Sequence, residues 1–277
     1  MVGSALLKKE KLKDAYNELS PSFDEVAGPS MIRFTRLLLR EINIPEKPVC
    51  LDVGCGTGIS TFELAKKIQD GGNIYGIDFS ELMIVQAKNN AERLGLVDIK
   101  FSTGDAEQLD FPDSMFDLVL SNQTLPFIPN KQKALTEMHR VLKPGGEAAL
   151  LFYGGSVYRE ILKIAMEVAS RHPEYPPFME AVVEFRNELI QLEDAVDLFE
   201  SAGFKDHMIY GRDQILFVDP SFWMKKGMLW DMWNSGLPKD AVNSIQDELM
   251  AECRKLSGSR GFKHTTYNVL AVGVKRK

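Results

Sequence analysis

The residues of this 277-residue chain best placed to do chemistry are two aspartates and a run of alternating glycines. The stretch Val49-Cys50-Leu51-Asp52-Val53-Gly54-Cys55-Gly56-Thr57-Gly58 reads as a buried strand entering a tight turn, with a helix starting near Ser60. Glycine permits unusual backbone angles and lets a ligand approach the main chain closely. In open α/β sheets ligands sit beyond the carboxyl ends of the strands, where this turn lies. A dinucleotide fingerprint, G-x-G-x-x-G, needs its third glycine at position 59, which is Ile59. That spacing argues against an NAD-dependent oxidoreductase. Asp52 at the mouth of the turn would repel a pyrophosphate but would suit a ligand with an ammonium and a sulfonium group.

A second strand ends at Asp78, 20 residues after Gly58. That distance suits a carboxylate that accepts both ribose hydroxyl hydrogens. Asp105, in Gly104-Asp105-Ala106 just past a third strand, can accept a hydrogen bond from an adenine amino group. A fourth strand ends in Ser121-Asn122-Gln123, followed by Phe127.

Positioning these groups requires alternating strands and helices. Short apolar runs at Val49–Val53, Ile74–Ile77, Ile99–Ser102, Leu118–Ser121 and Ala148–Phe152 predict buried strands. Ser60–Gln69, Ser80–Leu94 and Lys131–Leu142 between them predict helices. This alternation implies a mostly parallel sheet covered on both faces. Lys143-Pro144-Gly145-Gly146 reads as a helix stop and turn before the fifth strand. A helix at Leu192–Ala202 leads to strand Met208–Leu216, and the last strand is Tyr267–Val274. Ala5–Leu19 and Ser30–Ile42 predict N-terminal helices, and Ser156–Arg171 an amphipathic one. Residues 1–48 are thus expected to form a helical lid and 49–153 the cofactor-binding core, continued by 192–216 and the final strand segment, 265–277. Residues 154–191 and 217–264 are expected as cap insertions, the second carrying all three tryptophans.

LDVGCGTG, GIDFS, GDAEQLDFPDSMFDLVLSN and HRVLKPGG, in this order from Val49 to Leu151, resemble the class I S-adenosylmethionine-dependent methyltransferases. The resemblance is to the broad small-molecule group that includes quinone-biosynthesis enzymes. It implies a doubly wound sheet of seven strands in the order 3-2-1-4-5-7-6, the last antiparallel, and S-adenosylmethionine as cofactor. It places Asp52, Gly54, Cys55, Gly56, Thr57 and Gly58 against the methionine part and Asp78 on the ribose. Phe79 and Met83 would flank adenine, and Asp105 and Ala106 would meet its edge. Ser121, Asn122 and Gln123 would lie near the methionine part and the substrate. Tyr16 and Phe23 resemble N-terminal aromatic residues that close over the cofactor. The Asn-Pro-Pro-aromatic motif of amino-methylating nucleic-acid enzymes is absent, since Gln123 and Thr124 follow Asn122. Nor does the full signature of the quinone C-methyltransferases extend beyond the shared core.

The remaining readings concern the acceptor. Displacement at a sulfonium leaves a neutral sulfur, so alignment and desolvation can do most of the catalysis, and a base is needed only if the acceptor must lose a proton. Tyr16 and His264 are the acid–base candidates. Phe127, Trp230 and Trp233, with the Trp/Met region from Phe222 to Trp233, are candidates for an apolar acceptor pocket. A net charge of −6 and a pI near 5.4 speak against nucleic acid as partner. Three cysteines with no zinc spacing suggest neither a metal site nor a disulfide framework and fit a reducing, cytoplasmic setting. No apolar run is long enough to span a membrane. The expected activity is methyl transfer to oxygen, nitrogen or carbon of a small molecule. A noncatalytic cofactor- or partner-binding protein on the same fold is the alternative.

Overall fold

Val49–Val53 (β1) is apolar except for Asp52, and Phe116–Asn122 (β4) has the apolar centre Leu118–Leu120, as suits strands buried on both faces. Cys50, Leu51, Val53 and Leu118–Leu120 are all completely buried. These two strands pair in parallel at the centre of the sheet. In the computed structural model, which describes residues 2–68, 71–224, 229–234 and 236–276, five further strands complete it: Asn73–Asp78 (β2), Lys100–Thr103 (β3), Leu142–Tyr153 (β5), Asp206–Val218 (β6) and Phe262–Val274 (β7). Their order is β3-β2-β1-β4-β5-β7-β6, as the sequence predicts. The first five are parallel. Strand β7 runs against β5, since Gly145 N–H reaches Lys275 O whereas Gly154 N–H reaches Tyr267 O.

The chain divides into two compact units. One comprises Met1–Phe152, Leu192–Tyr210 and Val269–Lys277, the other Tyr153–Gln191 and Gly211–Asn268. In the first, helices Val2–Leu19 (α1), Phe23–Val26 (α2) and Gly28–Leu38 (α3) precede the sheet. Ile59–Ala65 (α4), Glu81–Leu94 (α5), Lys131–Val141 (α6) and Leu192–Ser201 (α9) accompany its strands. Helix α5 has defined ends, because Ser80 Oγ caps Met83 N–H and Gly95 closes it in the left-handed conformation. The second unit holds Arg159–Arg171 (α7), Pro176–Glu188 (α8), Leu229–Asn234 (α10) and Lys239–Lys255 (α11) around its own apolar cluster.

Four expectations are corrected. Helix α3 ends at Leu38 rather than Ile42, and α4 closes at Ala65; Gln69, its expected end, lies outside the described residues, as does Met228 of the Trp/Met region. Helix α7 begins at Arg159 rather than Ser156, because Tyr158 takes a left-handed conformation (φ 56°) and stops helical bonding before it. Lys143–Gly146 belongs to β5 rather than to a turn before it. Its main chain exchanges hydrogen bonds with Lys275, and Gly145 at φ +86° accommodates the irregular register between β4 and β5.

Candidate functional site

The β1–α4 turn sits where the sequence places it, and two of its glycines are required by geometry. Gly54 has φ +74°, and a Cβ there would lie 2.2 Å from Thr124 Oγ1. Gly58 starts α4 at φ +90°, and its Cβ would meet the Phe62 ring at 2.5 Å. The turn is fastened to β2 by the N–H groups of Gly54 and Cys55, both donating to Ile77 O.

Asp78 lies at the floor of this turn and is buried. One carboxylate oxygen accepts from Gly56 N–H and the other from Ser80 N–H, each at 2.9 Å. Burial raises its pKa, opposed by the backbone donors of Ser80, Gly56 and Phe79. The carboxylate still has acceptor capacity for a hydroxyl donor. Asp52 is wholly buried. Its Oδ2 accepts from Thr61 Oγ1 at 2.6 Å, while Oδ1 has no hydrogen-bond partner. Burial pushes its pKa up to about 7, with the nearby Asp78 charge adding to the rise. Two buried carboxylates, one with an unpartnered oxygen, beside a glycine turn fit a cationic adenosyl ligand and oppose a polyphosphate.

The other expected residues divide into two groups. Tyr16 from α1 lies edge-on to Phe79 (6.1 Å) and Phe127 (6.0 Å), so three of the named aromatic residues form one row. Met83 is buried in α5. Asp105, beside Ala106, is half-exposed and ion-paired with Lys9 Nζ at 2.5 Å. By contrast, the polar groups at the end of β4 face the fold. Ser121 Oγ donates to Val53 O. The Asn122 amide donates to Thr35 Oγ1 and Ser60 Oγ, joining α3, α4 and β4. Gln123 adopts φ +59° and its N–H donates to Leu151 O.

Within the second unit His264 is 3% exposed, stacked on Tyr158 and edge-on to Trp223. Burial pulls its pKa down to about 4, so it is neutral at pH 7. Trp230 packs on Phe178 and Trp233 on Phe185 inside that unit's apolar cluster. Packing alone accounts for their burial. Among the described residues no cluster of His, Cys, Asp or Glu is arranged to hold a metal, and no helix is long and apolar enough to cross a membrane.

Sequence reasoning missed Lys9, Asn17, Asp24, Asn90 and Thr124. Asn17 Oδ1 accepts from Ser80 Oγ and Leu82 N–H, and Asp24 binds Thr57 and Asn90. Thr124, directly after the expected triplet, donates to Gly54 O. Only its adjacency to that triplet signalled it; the others sit in polar helical segments with no motif.

Comparison with known proteins agrees with this geometry. A family model described as a methyltransferase domain matches residues 46–168. A demethylmenaquinone methyltransferase of Geobacillus stearothermophilus is 31% identical over 217 residues, covering 72% of this chain and 90% of the relative. Among solved structures, a putative methyltransferase of Bacillus halodurans C-125 superposes with TM-score 0.59 at 17% identity, covering 88% of this chain and 99% of that one. A Haemonchus contortus phosphoethanolamine N-methyltransferase 2, solved with S-adenosyl-L-methionine, gives 0.59 at 18%, covering 94% and 57%. The buried acids, the glycine turn between them and the strand order have one common explanation: the chain belongs to the class I S-adenosylmethionine-dependent methyltransferases.

Proposed function

We propose that the protein transfers a methyl group to a partly apolar small molecule by in-line displacement, and that its cofactor lies across the β1–α4 turn. The observation that carries this reading is the pairing of Asp52, whose buried Oδ1 is unpartnered, with Asp78 at the floor of the glycine turn. S-adenosylmethionine, when bound, supplies a methyl carbon activated by a positive sulfur. Asp78 would hold the ribose hydroxyls, and the Asp52 carboxylate would favour the cationic end. The row Phe79, Tyr16 and Phe127 would exclude water and flank the adenosyl part. Orientation of two reactants can contribute about 7–11 kcal/mol, which leaves little need for an acid–base pair. The relatives' name supports demethylmenaquinone, or an acceptor of similar apolar character, as the first compound to test.

The test incubates purified protein with methyl-labelled cofactor and a panel of demethylmenaquinone, apolar phenols, amines and carboxylic acids. Label moving into an apolar product supports the proposal. Tight binding of S-adenosylhomocysteine with no transfer to any small-molecule fraction would favour a noncatalytic cofactor-binding protein.

A further inference from the structure

Thr57 carries the one side-chain hydroxyl of the glycine turn Gly54–Gly58. It is fully buried, and its hydroxyl donates to Asp24 Oδ1 at 2.5 Å. Asp24 belongs to the short helix α2. Its other oxygen accepts from Asn90 Nδ2 of α5 at 2.8 Å, and the same amide donates to Thr57 O at 3.1 Å. Three elements far apart in sequence thus close one polar triangle on the backbone of the turn. Phe23, the preceding residue, brings its ring edge to 4.0 Å from where a Cβ on Gly56 would lie. On the adjoining turn of the N-terminal segment, Asn17 Oδ1 accepts from Ser80 Oγ, and Ser80 N–H donates to Asp78. The N-terminal helices therefore fasten to both halves of the expected cofactor site through residues that need not touch the cofactor.

We propose that Asp24 is a positioning residue: with Asn90 it latches the N-terminal helices onto the glycine turn through Thr57. Closure of α1 and α2 and binding of the adenosyl cofactor are then one coupled event. The physical reason lies in the turn itself. Gly54, Gly56 and Gly58 all have positive φ, so the turn has little steric stiffness of its own. A half-buried carboxylate that accepts two hydrogen bonds supplies that stiffness from outside, and hydrogen bonds to a charged group are the stronger class. Without the latch the turn samples conformations that no longer match the ligand, and affinity falls by the fraction lost.

The test reads the Kd of S-adenosylhomocysteine by calorimetry, together with tryptic cleavage after Lys11 in α1. Asp24→Ala and Thr57→Val should each raise Kd about 10-fold or more, by the ordinary strength of one charge-assisted hydrogen bond. The double variant should be little worse than either, because both remove the same link. Thr57→Ser keeps the hydroxyl and should restore wild-type affinity. S-adenosylhomocysteine should slow cleavage after Lys11 in the wild type but not in Asp24→Ala. Wild-type affinity in Asp24→Ala, or losses that add in the double variant, would overturn the proposal. Should Asp24→Ala fail to fold, the Thr57→Val and Thr57→Ser pair decides alone: equal affinities would overturn it. If the wild-type protein does not bind S-adenosylhomocysteine at all, the cofactor assignment falls and the latch with it.

Discussion

Replacing Asp52 by asparagine separates the needs of the site from those of the fold. Asp52 is completely buried, keeps one hydrogen bond from Thr61, and has a pKa raised from its ordinary 3.8 to about 7. A carboxyl group raised in this way contributes stability fully below the unfolded value and loses it as pH climbs through the folded value. The window therefore runs from about pH 4 to about pH 7. At about 1.4 kcal/mol per tenfold change in ionisation, the shift costs folding on the order of 4 kcal/mol at pH 8, where the buried group is ionised, and about 2 kcal/mol at pH 5, where it must take up a proton. Asn keeps the shape and an acceptor for Thr61 without the charge. Asp52→Asn should therefore raise the unfolding midpoint of the ligand-free protein, and by about 5–10 °C more at pH 8 than at pH 5, given about 2–4 °C per kcal/mol for a protein of this size. S-adenosylmethionine affinity should fall at the same time, and the wild type's rise in affinity as pH increases through 7 should disappear. Thermal scans at the two pH values and calorimetry with the cofactor check both halves. A midpoint shift of equal size at pH 5 and pH 8 would refute the assignment of a buried, strained charge to Asp52.

Asp78→Ala should weaken S-adenosylmethionine and S-adenosylhomocysteine together by about 100-fold or more, since it removes a charged acceptor and leaves Gly56 and Ser80 N–H groups without it; unchanged affinity for both would remove Asp78 from the ribose. Trp230→Ala and Trp233→Ala should each cost about 3–5 kcal/mol of stability, the range for deleting a buried aromatic residue, and lower the unfolding midpoint by about 10 °C. An unchanged midpoint with impaired methyl transfer would instead make these two residues walls of the acceptor site.

The parts of this protein that the sequence by itself determined are those encoded within one short segment. Val49–Gly58 carries strand, turn and acid in ten consecutive residues, and the apolar runs of β1 and β4 mark central strands because strands covered on both faces are predominantly apolar. Asp78 was legible for the same reason: it ends a strand whose neighbour ends in the turn, so topology alone brings the two together. The tertiary structure decided what each polar side chain does. Asn122 ends a strand and points by position toward a ligand, yet its amide serves Thr35 and Ser60, which are 87 and 62 residues away. Thr57 belongs to the motif, yet its hydroxyl is taken by Asp24, 33 residues earlier, and Asp105 is paired with Lys9 across 96. Trp230 and Trp233 recur at helical spacing whether they line a cavity or fill a core, and burial within the second unit is visible only once α8 and α10 are packed. Local pattern records periodicity and backbone demand, whereas a hydrogen bond between distant segments leaves no period in either of them; Asp24 and Lys9 look like any other charges on a solvated helix until the chain has folded.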